Sequence, residues 1–166
     1  MVLVIIDQSE NQIKKSAAEV LSYGAALAEK IGVKAEALLL GKVNDDISSL
    51  GKYGITTIHQ VSDDALNHVD VSMYSKVISE AAKQLGASVL VFAHSMTGKA
   101  VAPSVAIRLE AGIVTGACAL PNTDSGFVVT KTVFSGKAFA SIKIETAIKV
   151  ITLNQNSFGI HPKDGT

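Results

Sequence analysis

Three residues, Thr97, Gly98 and Lys99, have the types and spacing that suit an anion site. They follow a long apolar run, and a lysine and free backbone amides at the start of a helix attract phosphate. A Walker phosphate loop also needs a glycine five residues before Gly98 and a Ser or Thr after the lysine, but Ala93 and Ala100 stand there. Anion binding by these three residues therefore competes with a simpler interpretation, in which Gly98 is a turn residue.

His94 and Ser95 stand at the predicted carboxyl end of the same apolar run, where functional residues concentrate in open α/β sheets. A serine nucleophile needs a base within hydrogen-bond reach. Neighbouring side chains of an extended chain point in opposite directions, so His94 is better explained as a structural histidine. We predict no catalytic residues in this chain.

The other residue types that bind metals or transfer protons are scattered. His59, His68 and His161 have no ligand spacing with one another, and Cys118 sits in an apolar run typical of a small core residue. We therefore predict no metal site. Two acidic pairs are interpreted as caps or turn residues and not as an acid and a base: Asp45-Asp46 and Asp63-Asp64.

The composition narrows the class of protein. The 166 residues suit one domain with a real core, and the formal net charge of zero argues against nucleic acid as a partner. Charge-free runs such as 111–123 are shorter than the ~18 apolar residues that cross a bilayer, and MVLVIID predicts a first strand, not a signal peptide. One cysteine fits a reducing compartment. The excess of hydrophobic (48 %) over charged residues (18 %) predicts that another subunit or domain covers one face.

The elements that would position these residues follow a β-α-β order, which predicts a three-layer α/β sandwich with a mainly parallel, Rossmann-like sheet. A hairpin signal at residues 135–137 adds an antiparallel part. A short helix is predicted at Asp45 to Gly51. The predicted strands are Val2 to Ile6, Ala35 to Leu40, Thr57 to Val61, Ser88 to Ala93, Phe127 to Phe134, Ala138 to Ile144 and Lys149 to Asn154.

Three longer helices have recognisable start signals. Ser16 and Glu19 form an S-x-x-E capping box before the first, and Ser72 is the predicted cap of the second. Pro103 lacks an N–H and suits a first turn, so the third helix is expected to begin near Val101.

Five segments together carry a resemblance to a known family: VLVIID, KKSAAEVLSYGAALAEKIG, residues 88–120 with G-K-x-x-A-P, FSGKAFASIKI and KVITLNQNSF. The chain resembles the N-terminal domain of the electron transfer flavoprotein α subunit. That family has similar strings: K-x-S-x-E-L-L, T-x-x-G-R/K-x-x-A-P-R, Y-x-G-N-A and T-V-R-x-x-x-F. The arginine that usually follows A-P in the family is Ser104 here, the asparagine after the hairpin glycine is Lys137, and the arginine near the last strand is Asn154. Any polar contact that the family's side chains make to a partner domain at these positions is therefore in doubt.

The resemblance implies an electron carrier and not an enzyme, within an adenine-nucleotide-hydrolase-like fold. Such a carrier takes electrons from flavin dehydrogenases, such as the acyl-CoA dehydrogenases of fatty acid β-oxidation, and passes them to a quinone reductase or another acceptor. FAD is then held mainly by a C-terminal domain and is not expected in this chain alone, because Met96 replaces the glutamine of that domain's flavin loop. Residues 1–154 would form the scaffold that binds the β subunit of a heterodimer, with 155–166 a linker. The implied location is the bacterial cytoplasm or the mitochondrial matrix.

Two other interpretations stay open at this point. A nucleotide-binding protein of the universal stress class shares the architecture, but it needs a glycine-rich G-x-x-G…G-S/T loop after the fourth strand, which this sequence lacks. An enzyme with a site at His94 and Ser95 is the second alternative. Micromolar binding of ATP or AMP by the isolated chain would favour the nucleotide-binding protein. Substitution of both His94 and Ser95 without loss of any detectable turnover would exclude the enzyme.

Overall fold

An eight-stranded sheet forms the middle layer of the domain, with helices on both faces of its parallel part. The computed structural model describes residues 1–163. Its strands are β1 Val2–Ile6, β2 Gln8–Ser9, β3 Gln12–Ile13, β4 Ala35–Leu40, β5 Thr57–Val61, β6 Val89–Ala93, β7 Gly112–Ala117, β8 Phe127–Val133, β9 Ala138–Ile144 and β10 Lys149–Leu153. Its helices are α1 Ser16–Lys30, α2 Val71–Leu85 and α3 Met96–Arg108, with short 3₁₀ helices at Ile47–Tyr53 and Asp64–Leu66.

The strand order is β5-β4-β1-β6-β10-β7-β8-β9. The pairs from β5 to β7 are parallel, whereas β8 pairs in antiparallel fashion with β7 and with β9. The predicted fold class, a mainly parallel sandwich with an added hairpin, is confirmed. The separate two-stranded β2–β3 hairpin was not predicted; its turn residues Glu10 and Asn11 have left-handed φ angles of 52° and 60°.

The last strand, β10, lies at the centre of the sheet, between β6 and β7. Its residues 150–153 are almost fully buried, and they include one polar side chain, Thr152. The chain thus leaves the parallel sheet after β7, makes the β8–β9 hairpin and returns to fill a gap beside β6. Because β10 lies between β6 and β7, the strands β7, β8 and β9 are joined to the rest of the sheet through this late segment.

Alternating side chains of β1 explain why both faces of the sheet are covered. Val2 and Val4 pack into the cluster that contains α1, whereas Leu3 and Ile5 pack into the cluster that contains α2 and α3. A strand that is apolar on both sides is typical of a central parallel strand. No helix of residues 1–163 is long and apolar enough to cross a membrane.

The start of α1 differs from the predicted capping box. Lys15 occupies the cap position with no side-chain hydrogen bond, and Ser16 is already the first helical residue. The Glu19 carboxylate accepts hydrogen bonds from a segment near residue 158 instead. For α2, the cap is Asp70, whose carboxylate accepts from the Met73 N–H at 2.7 Å, and not Ser72.

The start of α3 is also earlier than predicted. The helix begins at Met96, and Pro103 lies inside it, eight positions along. Ser95 provides the cap that decides the start, since its hydroxyl accepts from the Gly98 N–H at 3.1 Å. The prediction near Val101 was wrong because it placed Pro103 in the first turn.

Candidate functional site

The position that suits a ligand in this fold lies between the carboxyl ends of β1 and β6. These strands are neighbours, and the helices that follow them, α1 and α3, cover opposite faces of the sheet. A crevice opens at such a reversal, and ligands of open α/β sheets bind there. His94, Ser95 and Thr97 all lie at this edge, as the sequence predicted.

Gly98 is buried where α3 approaches the end of β6. A Cβ added at Gly98 would lie 1.9 Å from the carbonyl oxygen of Ala93, a distance that no side chain tolerates. The Gly98 N–H is already bonded to the Ser95 hydroxyl, and the Lys99 N–H donates to the Ser95 carbonyl at 2.9 Å. These contacts favour a packing role for Gly98, while anion binding by Thr97, Gly98 and Lys99 stays a prediction.

The turn from β6 to α3 contains two residues, His94 and Ser95, so it holds no glycine-rich loop. The cavity beneath the turn has a volume of about 20 Å³, room for roughly one water molecule. Two buried acceptors in its lining, Asp7 Oδ1 and Gln8 Oε1, have no hydrogen-bond partner in the described part of the chain. A flavin or adenine ring does not fit this cavity.

His94 is held by a buried hydroxyl and not by Ser95. Its Nδ1 lies 2.7 Å from Thr152 Oγ1, which also accepts from the Gly116 N–H at 2.9 Å. Because the Gly116 N–H donates to Thr152, the hydroxyl proton of Thr152 is free to point at His94 Nδ1. This arrangement suits a neutral imidazole that joins β6, β10 and β7, which supports the structural interpretation of His94. Thr152 was missed at the sequence level, although a threonine inside an apolar strand was a visible signal.

We expect His94 to remain neutral at neutral pH. Burial lowers its pKa, and the positive charges of Lys99 and Lys131 lower it further, so the pKa lies below the ordinary 6.5. Since the unfolded chain takes up this proton at a higher pH than the folded one, the contribution of His94 to stability falls as the pH drops through 6.5. An NMR titration of the imidazole checks this, with Lys99→Met expected to raise the pKa.

Lys83→Met, on the exposed part of α2, is the control for that titration and should leave the pKa of His94 unchanged. A measured pKa at or above 6.5 in the unmodified chain contradicts the prediction.

Of the remaining candidate residues, His68 lines a cavity at this edge together with Thr97, and the others make their contacts elsewhere. His59 Nε2 lies 2.6 Å from Glu36 Oε2, His161 contacts the Phe158 carbonyl, and Cys118 Sγ lies 3.4 Å from the Thr130 carbonyl. No group of three potential metal ligands occurs in residues 1–163. The acidic pairs do cap turns as predicted: Asp46 accepts from the Ser48 N–H and Asp63 from the Ala65 N–H.

The tip of the β8–β9 hairpin exposes aromatic side chains at the same edge. Asn154, just after β10, donates to Thr132 of β8 at 3.5 Å, which places the tip beside the ends of the central strands. Phe134 is 80 % exposed and Phe139 is 71 % exposed. Phe134 also has a left-handed φ of 52°, which is a rare and strained conformation for a bulky residue. The tight turn at residues 133–136, in which the Gly136 N–H donates to the Val133 carbonyl at 3.2 Å, requires positive φ at Phe134 and Ser135. The turn does not require an exposed aromatic ring at position 134.

A family described as the electron transfer flavoprotein domain matches residues 2–166. The chain belongs to this family. The resemblance drawn from the five sequence segments is therefore confirmed, and nothing supports membership of the universal stress class. In this flavoprotein domain, the edge around His94 is occupied by internal hydrogen bonds and close packing.

Individual relatives agree with the family assignment. The chain is 29 % identical to protein FixB of Clostridium saccharobutylicum, over 85 % of this chain and 43 % of that protein. It is 28 % identical to the electron transfer flavoprotein subunit alpha of Thermoanaerobacterium thermosaccharolyticum, over 84 % of this chain and 43 % of that protein. It is 27 % identical to subunit LctC of the lactate dehydrogenase (NAD(+),ferredoxin) of Acetobacterium woodii, over 87 % of this chain and 35 % of that protein. The chain thus spans less than half the length of these relatives, and it corresponds to the N-terminal part of the first two.

Proposed function

We propose that this chain is the N-terminal domain of an electron transfer flavoprotein α subunit and acts as a scaffold. The observation that carries the proposal is the use of His94, Ser95 and Gly98 for internal bonds and packing at the position where this fold usually binds ligands. In the longer protein, FAD would bind outside this domain. The chain itself would fix the geometry of the complex and make or break no substrate bond.

The electron donor and acceptor belong to the longer protein and remain predictions. Acyl-CoA dehydrogenases of β-oxidation and a quinone reductase are the pair that the family resemblance implies. The relative named as a lactate dehydrogenase subunit shows that the same type of domain occurs in a protein with a different named activity. The location of this protein, bacterial cytoplasm or mitochondrial matrix, is likewise a prediction.

The partner surface that we propose for the β subunit is the hairpin tip, defined by Phe134 and Phe139. Exposed aromatic residues are the usual anchors of protein interfaces. The neighbouring β9 strand is the edge of the sheet, and its outer backbone groups have no partner strand in the described structure. An edge of this kind readily pairs with another chain. Contact at the tip would also cover part of the apolar surplus seen in the composition.

Co-expression with the β subunit encoded in the same genome tests the proposed function. We expect the 166-residue chain to co-elute with the β subunit in size-exclusion chromatography, and to purify without flavin absorbance when expressed alone. A longer protein that continues past Thr166 should carry FAD. Flavin bound to the isolated chain, or no complex with the β subunit at micromolar concentrations, would overturn the scaffold role.

A further inference from the structure

Residues 155–166 were predicted to form a linker, yet the part of this segment that the structure describes, residues 155–163, lies along α1. The Glu19 carboxylate accepts three backbone N–H groups of this segment, from Asn156, Phe158 and Gly159, at 2.9 to 3.0 Å. Glu19 itself is buried. Burial raises its pKa, but these backbone hydrogen bonds outweigh the burial, so the pKa lies below the ordinary value. Hydrogen bonds to an ionised acceptor are roughly twice as strong as neutral ones.

Further contacts continue down the helix from Glu19. The Phe158 ring meets Tyr23 edge-on, with centroids 5.3 Å apart, and the His161 N–H donates to the Ser22 hydroxyl at 3.1 Å. Lys163 Nζ then reaches Glu29 at 2.9 Å, near the other end of α1. The segment therefore spans most of the helix, a rise of about 15 Å from Glu19 to Glu29.

This path carries the chain from one edge of the sheet to the other. Glu19 lies in the first turns of α1, on the side where β1 and β10 end. The Lys163 N–H donates to the Lys52 carbonyl at 2.7 Å, and Thr56, a few residues on, bonds to Ala35 at the start of β4. Lys163 is thus at the amino edge of the parallel strands, opposite to the hairpin tip.

We propose that Glu19 is a positioning residue that fixes the point from which the chain leaves this domain. With Glu19 in place, residues 154–163 are part of the folded domain, and any later part of a longer chain leaves the domain at the amino edge of the parallel strands. Without Glu19, the later part would leave the domain at the end of β10, beside the proposed partner surface. The Lys163–Glu29 pair contributes less, because exposed ion pairs are weak. For the longer protein this inference rests on the proposed function, since the attached part would be the flavin domain.

Hydrogen exchange on the 166-residue chain tests the role of Glu19. In the unmodified chain we expect protected amides at Asn156, Phe158 and Gly159. Glu19→Ala should reduce their protection by at least about 10-fold, which corresponds to losing one charge-assisted hydrogen bond, while β1 and β6 amides keep theirs. Alanine is the best helix former, so α1 itself should persist. Glu19→Gln keeps one acceptor oxygen and should show an intermediate loss.

Glu29→Ala is the matched control, because it removes the other carboxylate of α1 that contacts the segment and should leave residues 156–159 protected. Three outcomes would overturn the inference: unprotected amides in the unmodified chain, equal losses in Glu29→Ala, or a loss in Glu19→Ala that extends equally to β1 and β6. In the longer protein, Glu19→Ala should change the interdomain distances seen by X-ray scattering at unchanged FAD content. A longer protein that binds no FAD would refute the proposed function but not the role of Glu19, because the hydrogen-exchange data test that role separately.

Discussion

Gly98→Ala is expected to destabilise the domain by about 3 kcal/mol, the upper end of the range for overpacking. The obstacle to the new methyl group is the Ala93 backbone carbonyl at 1.9 Å, which cannot rotate away as a side chain would. Relief requires α3 to move off the end of β6 and to loosen its core contacts. The gain in helix propensity, about 1 kcal/mol, offsets only part of this cost. Thermal unfolding should show a drop in Tm of roughly 6–12 °C for a domain of this size.

Gly51→Ala is the control, because a Cβ at Gly51 meets no atom within 4 Å and its φ is not left-handed. Its stability should change by less than about 0.5 kcal/mol. The pair of variants also separates the two interpretations of Gly98. If Gly98 serves anion binding, Gly98→Ala should weaken binding of inorganic phosphate at an unchanged Tm, and that result would refute the packing role.

The layered fold could be predicted because its signals are local. Continuous apolar runs such as residues 2–6 mark strands buried on both faces, and the glycine after Ser135 marks the hairpin. These patterns need no knowledge of distant contacts. Each of the seven predicted strands agrees with an observed strand to within a residue, whereas β7 and the short β2 and β3 had no predicted bounds.

The errors arose where a distant partner competes with a local pattern. Ser16 and Glu19 have the spacing of a capping box, but Glu19 binds a segment about 140 residues later. The central position of β10 was also missed because it depends on distant partners. The order of strands in a sheet depends on which strand edges are still unpaired, and the local sequence does not show this. For the candidate site, sequence located His94 and Ser95 at the correct edge, but it could not show that Thr152 from β10 bonds the histidine.

Phe134→Asn is expected to separate partner binding from stability. Asparagine adopts left-handed φ angles more readily than phenylalanine, and Phe134 is 80 % exposed, so the domain alone should be as stable as before or slightly more stable. Affinity for the β subunit should fall by at least about 30-fold, because truncating an interface anchor costs about 2 kcal/mol or more. Calorimetric titration gives the affinity, and thermal unfolding gives the stability of the same sample.

Ile107→Asn provides the matched control for this variant. Ile107 is also 80 % exposed and apolar, but it lies on α3 and not on the hairpin. If general surface apolarity drives association, both variants should weaken binding equally, whereas an anchor at the hairpin tip leaves Ile107→Asn at full affinity. A loss with Ile107→Asn alone would place the β subunit on the α2–α3 face. An unchanged affinity of Phe134→Asn for the β subunit would contradict the proposed partner surface.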